Sequence, residues 1–260
     1  MGILEGKRIL VTGVLTDDSL AFAVAELARA EGAQIVLTGA GRGLSLTRRM
    51  AKKLGLDGDA DVFEWDVTDP DHGPAIAQVI EDRWGGLDGA LHAIAFAPQS
   101  CLGGGFLEAP WDDVSVAVHI SAYSLKVMAA TLAPAFRQAH GGSLVGLTFD
   151  ATVAWPAYDW MGVAKAAFES CSRYLARELG PDQIRVNLIA AGPAKTIAAK
   201  SIPGFATFES RWVESAPLGW DATVDSAAVA RSTVALLGDW FPKTTGEIIH
   251  VDGGFHAVGA

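Results

Sequence analysis

Short apolar runs alternate along this chain with longer segments in which apolar positions recur every three or four residues. The runs are RILVTG near 8–13, QIVLTG near 34–39, ADVFEWDV near 60–67, DGALHAIAF near 88–96, SLVGLTF near 143–149, IRVNLIAAG near 184–192 and GEIIHVDGG near 246–254. Most are continuously apolar and rich in β-branched residues, the pattern of strands covered on both faces. Between them lie helix-period segments, among them Leu20–Glu31, Leu44–Leu54, Pro74–Trp84, Asp112–Gln138, Tyr158–Leu179 and Ser226–Leu237. This alternation predicts an α/β architecture: a single-domain Rossmann fold over 1–260, with seven strands in one doubly wound parallel sheet and right-handed crossovers. Seven strands use up the length, and no repeat, linker or low-complexity tract marks a second domain.

Composition narrows the picture. Half of the 260 residues are apolar, enough for one large core. The formal charge of −10 argues against nucleic-acid binding. Two distant cysteines, Cys101 and Cys171, suit a reduced, cytoplasmic protein. The six histidines form no ligand cluster, so no metal site is expected. No continuous apolar run of membrane-spanning length is visible, so no membrane span is expected. The N-terminus lacks the features of a signal peptide, and Gly6 stands where a myristoylation signal wants Ser or Thr.

Candidate chemistry gathers where the predicted strands end, which is where open α/β sheets bind ligands. After the first strand, VTGVLTDDSLA keeps only Gly13 of a glycine-rich dinucleotide turn, with Asp18, Ser19 and Leu20 at the later glycine positions. Asp17, Asp18 and Ser19 are good helix caps. The Ser19 hydroxyl and the Leu20 amide are suited to donate to a phosphate, with small Ala21 allowing approach; a capped helix without a ligand is the alternative. The second strand ends without the acidic residue that usually binds a ribose 2′-hydroxyl; its Arg42 suits adenine stacking, a 2′-phosphate or plain solvation. Asp66 can accept from an adenine amino group beside the Val67 amide. Ala93 and Ala95 around Ile94 leave backbone open to a ligand. In AYDWMGVAK, Tyr158 and Lys165 fall on one helix face, within about 20° of each other and about 10 Å apart along the axis. The pair alone does not separate a two-point grip on an extended ligand from a core Tyr and a surface Lys.

TGVLTDDSLA, WDVTD, HAIAFAP, HISAYS, GLTFD, AYDWMGVAK, AAGPAKT and TTGEIIHVDGG occur in one order across nearly the whole chain. In this the chain resembles the short-chain dehydrogenase/reductase superfamily, in particular its divergent enoyl-[acyl-carrier-protein] reductase branch and the actinobacterial type of mycolic-acid synthesis. Tyr-x6-Lys replaces the superfamily's usual Tyr-x3-Lys. Phe149 stands in the region of the usual strand-five Ser, and His119 falls near the usual Asn.

The resemblance implies that Lys165 binds the nicotinamide ribose hydroxyls, while Tyr158 donates to a thioester carbonyl as hydride reaches the β-carbon of a trans-2-enoyl thioester. It implies an apolar wall at Phe149. Gly192 and Pro193 would turn the chain so that the Ala194 backbone and the Thr196 hydroxyl meet the carboxamide and pyrophosphate. A helical substrate lid is expected over about 196–220, with Ile197, Ile202, Phe205, Phe208 and Trp212 as its acyl wall. This lid looks shorter than the mycobacterial pattern, which favours short or medium chains. NADH is the expected cofactor, with Arg42 keeping NADPH open. Acyl carrier protein is the expected partner, attracted by Lys195, Lys200 and Arg211 if these are not simply solvated. The apolar C-terminal edge, with Trp240 and Phe241, implies a homotetramer. Two other readings remain at this point: a superfamily oxidoreductase acting on a ketone or alcohol, and a dinucleotide-binding sensor without catalysis.

Overall fold

The apolar runs become strands because helices cover both sides of the sheet they form. A computed structural model describes residues 2–196, 199 and 203–258. The strands are β1 Arg8–Thr12, β2 Gln34–Gly39, β3 Val62–Glu64, β4 Gly89–His92, β5 Gly142–Thr148, β6 Ile184–Ala191 and β7 Ile248–Val251. They form one sheet in the order β3-β2-β1-β4-β5-β6-β7. Every pairing is parallel, with Leu10 opposite Val36 on one side and Ala90 on the other. The strand order reverses direction between β1 and β4, and this switch point opens the crevice that such sheets use for ligands.

The helices among the described residues are α1 Leu20–Ala30, α2 Arg42–Lys53, α3 His72–Trp84, α4 Trp111–Val118, α5 Ser124–Gln138, α6 Asp159–Leu179, α7 Phe205–Ser215 and α8 Ser226–Leu237. Alternate residues of a strand face opposite sides. Ile9 and Val11 accordingly join a core with α1 and α8, while Leu10 between them joins a second core with α3 and α5. Leu10, Leu132 and Phe136 are fully buried, and each such side chain contributes about 1.5–3 kcal/mol by leaving water.

Three strands stop short of their apolar runs. Trp65–Val67 follow β3, Ala93–Phe96 follow β4, and Asp252–Gly254 follow β7 outside the ladder. These released ends lie at the carboxyl edge of the sheet. The predicted helix 112–138 is also interrupted, by a π-helical segment at His119–Tyr123 between α4 and α5. An 18-residue window within Trp111–Gln138 has mean hydropathy 1.4, so by length and composition this stretch is apolar enough to cross a membrane, although it holds no continuous apolar run of that length. Half of that window is buried in the protein. Leu125, Met128, Leu132 and Phe136 raise its hydropathy, and all four lie in the core shared with the sheet.

Candidate active site

The end of β5 joins the two members of the Tyr158–Lys165 pair. Lys165, on α6, is buried and donates from Nζ to the Leu147 carbonyl at 3.0 Å. Two residues further on, the Phe149 ring meets the Tyr158 ring edge-on at 5.4 Å. Tyr158 caps α6 and is itself buried. Burial pushes its phenol well above the ordinary value, so the hydroxyl stays protonated and acts as a donor. Burial lowers Lys165 to about 8, with the charge of Glu169 one turn along α6 opposing that fall.

A closed aromatic cluster surrounds Phe149. Trp155, Phe208 and Trp212 lie 5.2, 5.9 and 5.5 Å from its ring. Phe208 and Trp212 belong to α7 inside the predicted lid, and Trp212 stacks on Phe255 from the chain's end at 3.8 Å. Phe205 packs against the same core. Ile197, Ile202 and Lys200 lie outside the described residues. Lys195 is ion-paired with Glu209 of α7 at 2.7 Å, so it ties that helix to the turn after β6 rather than standing free for a partner. Arg211 is exposed on the same helix.

The turn after β1 packs closely against the end of β4. Gly13 has φ +79°, and a Cβ there would lie 2.1 Å from the Ala93 carbonyl oxygen, so only glycine permits this approach. Thr12 fastens the same seam, accepting from the Ala93 amide at 2.9 Å and donating to the Leu91 carbonyl at 3.0 Å. The Ser19 hydroxyl caps α1, accepting from the Phe22 amide while donating to the Thr16 carbonyl at 2.7 Å. Its proton is therefore committed, which leaves the Leu20 and Ala21 amides, unpartnered among the described residues, as the donors this helix end can offer an anion.

After β3, the Asp66 carboxylate accepts at Oδ1 from the Thr68 amide and hydroxyl, at 2.9 and 2.6 Å. Thr68 holds Asp66 below the usual carboxylate range. Its second oxygen has no partner among the described residues. The Asp66 amide donates to His72 Nδ1 at 2.9 Å, and Val67 is buried beside it. Ile94 and Ala95 lie in an open strip whose far end is gripped by the buried Ser121 of the π segment. The Ser121 hydroxyl accepts from the Phe96 amide at 2.9 Å and donates to the Phe96 carbonyl at 2.8 Å. Arg42 is exposed at the end of β2, where the Glu64 carboxylate accepts from the Gly41 amide at 3.4 Å.

On the other flank, the Trp220 indole donates to the Pro193 carbonyl at 2.7 Å, fixing the turn that carries Ala194. Thr196 Oγ1 accepts from the Ala199 amide. His119 does not join the Tyr158–Lys165 pair. It lines a cavity of about 220 Å³ with Val67 and Thr68 and lies edge-on to Tyr123.

The sequence profile of the enoyl-(acyl carrier protein) reductase family matches residues 13–256. The chain belongs to this family. It is 45% identical to the NADH enoyl-[acyl-carrier-protein] reductase of Mycolicibacterium smegmatis, with 97% of each chain covered. It is 43% identical to the enzyme of that name from Mycobacterium avium, again over 97% of each. The Aquifex aeolicus relative is 38% identical over all of this chain and 94% of its own. Within this enoyl reductase fold, the sequence reading passed over Ser121, His72, Trp155 and Glu64 as site residues. Ser121 sits inside the quoted HISAYS motif, and a small buried polar residue in a helix was the available signal. The other three act through folded contacts that no local pattern marks.

Proposed function

We propose that the protein reduces trans-2-enoyl thioesters of acyl carrier protein or CoA to saturated acyl thioesters with NADH, in fatty-acid elongation. The observation that carries this reading is a buried Tyr158 beside Phe149 at the N-cap of α6, with Lys165 of that helix bonded at the same strand end. When bound, NADH supplies the hydride that adds to the substrate β-carbon. The double-bond electrons then move toward the thioester oxygen, and the Tyr158 hydroxyl donates to that developing enolate. Protonation at the α-carbon completes the saturated product. Lys165 holds the nicotinamide ribose hydroxyls as a compact cationic donor. Gly13, Leu20, Ala194 and Thr196 shape the pyrophosphate and carboxamide contacts. Asp66 and Val67 receive the adenine, and the Ala93–Ala95 strip faces the cofactor. Glu64 places a carboxylate beside the end of β2, which supports NADH over NADPH by repelling a 2′-phosphate.

Phe149, Phe208 and Trp212 close around the carbonyl end of the substrate, excluding water from the enolate. Phe149 replaces the hydroxyl that a ketone reductase places there, so Tyr158 acts without that second donor. NADH oxidation with trans-2-octenoyl and trans-2-dodecenoyl thioesters, run beside NADPH and a β-ketoacyl thioester, tests the assignment. Enoyl-dependent NADH oxidation is expected; activity on the ketoacyl substrate alone would overturn it. The tight aromatic wall supports short or medium acyl chains. Phe208→Ala is expected to raise the dodecenoyl-to-octenoyl ratio of kcat/KM about tenfold, and an unchanged ratio would free Phe208 of that role.

The working unit in this reading is one reductase domain over 1–260 with its lid near 196–220, assembled as a cytoplasmic homotetramer. β7 is half-exposed where the inner strands are buried, and Trp240 and Phe241 are exposed nearby. Such an apolar edge supports burial against another copy. Sedimentation velocity is expected to return a tetramer, and a monomer at micromolar concentration would refute the assembly.

A further inference from the structure

The backbone that presents Tyr158 is strained on both sides of it. Ala157 has φ +60° and Asp159 has φ +43°, left-handed conformations that side-chain-bearing residues hold only where their surroundings impose them. The imposing contacts come from the loop that follows β4. The Gly103 amide donates to the Ala157 carbonyl at 2.9 Å. The Gly104 amide donates to Asp159 Oδ2 at 2.5 Å. The Trp160 indole donates to the Phe106 carbonyl at 2.9 Å, and the two rings stack at 4.7 Å. All three contacts fall on residues 157–160, the segment that brackets Tyr158.

The Tyr158 side chain has no polar anchor of its own among the described residues. Its ring rests edge-on against Phe149 and Phe208, at 5.4 and 6.4 Å. Apolar ring contacts restrain tilt weakly compared with directional hydrogen bonds, so the hydroxyl takes its position largely from the backbone beneath it. Gly104 has φ +100°, the conformation that turns its amide toward Asp159. An acidic residue in the first turn of a helix also complements the helix dipole, and a bare charge would serve that role without the amide contact.

We propose that Asp159 is a positioning residue: the Gly104 amide locks its carboxylate, and this clamp holds the strained turn so that the Tyr158 hydroxyl meets the substrate carbonyl. The proposal rests on the reading of Tyr158 as the carbonyl donor.

The test compares Asp159→Ala and Asp159→Asn, in the wild type and in a Tyr158→Phe background. It reads kcat and KM with trans-2-octenoyl thioester, NADH affinity by fluorescence titration, and amide exchange at Gly104. Asp159→Ala is expected to lower kcat about 10- to 100-fold, as loss of alignment does, with KM and NADH affinity held within about twofold. Exchange at Gly104 should accelerate. Asp159→Asn keeps the acceptor and loses the charge, so it should retain kcat within about threefold. In the Tyr158→Phe background the alanine change should cost less than about twofold more, because coupled groups do not add.

Unchanged kcat in Asp159→Ala overturns the clamp. So does an equal loss in both backgrounds, or an Asn variant as slow as the Ala variant. Should Asp159→Ala fail to fold, Gly104→Ala keeps the carboxylate and places its Cβ in open space. It perturbs only the backbone that offers the amide, and the same fall in kcat is expected; wild-type kcat there overturns the proposal. A wild type that turns over no enoyl thioester overturns the functional reading and the clamp with it. A wild type that turns over while Asp159→Ala is unaffected overturns the clamp alone.

Discussion

Lys165→Ala is expected to weaken NADH binding by 100-fold or more. A charge-assisted hydrogen bond contributes about 1.5–3 kcal/mol, and about 1.4 kcal/mol is one decade of affinity. Two ribose hydroxyls held by one ammonium therefore account for at least two decades. In the free protein the same ammonium donates to the Leu147 carbonyl at 3.0 Å, so the group is already in place before the cofactor arrives. Titration of NADH fluorescence checks the result, and wild-type affinity in the variant would end the ribose-clamp role.

The wild type carries a matching pH signature. Burial lowers Lys165 to about 8 from its ordinary 10.5. Between those two values the unfolded chain binds more protons at this residue than the folded one, so its contribution makes stability rise with pH across that window. Below about 8 the residue is protonated in both states and the cost of burying the charge is fully present. Cofactor affinity moves the opposite way, because the protonated form is the binding form: it should fall above about pH 8, by at most about tenfold per unit. A flat affinity profile through that region would show that the charge contributes nothing.

Much of this was legible because the signals are local or periodic. The continuous apolar runs of β1, β2, β5 and β6 become strands covered on both faces; Tyr158, expected on one helix face with Lys165, instead precedes α6 as its N-cap, and the strained Asp159 breaks the helical phase between them. The runs that over-predicted strands, ADVFEWDV and DGALHAIAF, continue past the assigned strands, and beyond β3 the Trp65 amide still bonds to the Gly39 carbonyl at the end of β2. Asp66, Val67 and Ala93–Ala95 occupy those ends, so the strand boundaries that were misplaced coincide with the segments proposed to bind the cofactor. The π segment at His119–Tyr123 escapes a 3.6-residue period, since it shifts the phase between two helices that are each regular. Ser121 is legible only after that shift is seen.

Contacts between distant segments carry the rest. Gly104 reaches Asp159 across 55 residues, and Lys195 reaches Glu209 only when α7 folds over the turn after β6. No spacing rule encodes either. The Ser19 hydroxyl shows the reverse case: its oxygen caps α1 as expected, but its proton, expected for a phosphate, goes to the Thr16 carbonyl.

Tyr158→Phe is expected to lower kcat about 100-fold while sparing NADH affinity. Removing one preorganised donor from a developing oxyanion typically costs about 10²–10³ in rate. The change deletes only the hydroxyl, which makes no hydrogen bond among the described residues, and keeps the ring that packs on Phe149 at 5.4 Å. The fold and the cofactor site therefore have no reason to respond. Because burial keeps the phenol protonated far above neutral pH, the wild-type rate should show no alkaline limb from Tyr158 itself; any such limb belongs to Lys165 and should persist in the Phe variant. Single-turnover kinetics at saturating NADH isolate the hydride step from product release. An unchanged rate in that step would remove Tyr158 as the donor and leave the enolate to be stabilised by the bound cofactor and solvent. A rate loss accompanied by weaker NADH binding would instead mean that the hydroxyl orders the cofactor, and the division of labour between Tyr158 and Lys165 would have to be redrawn.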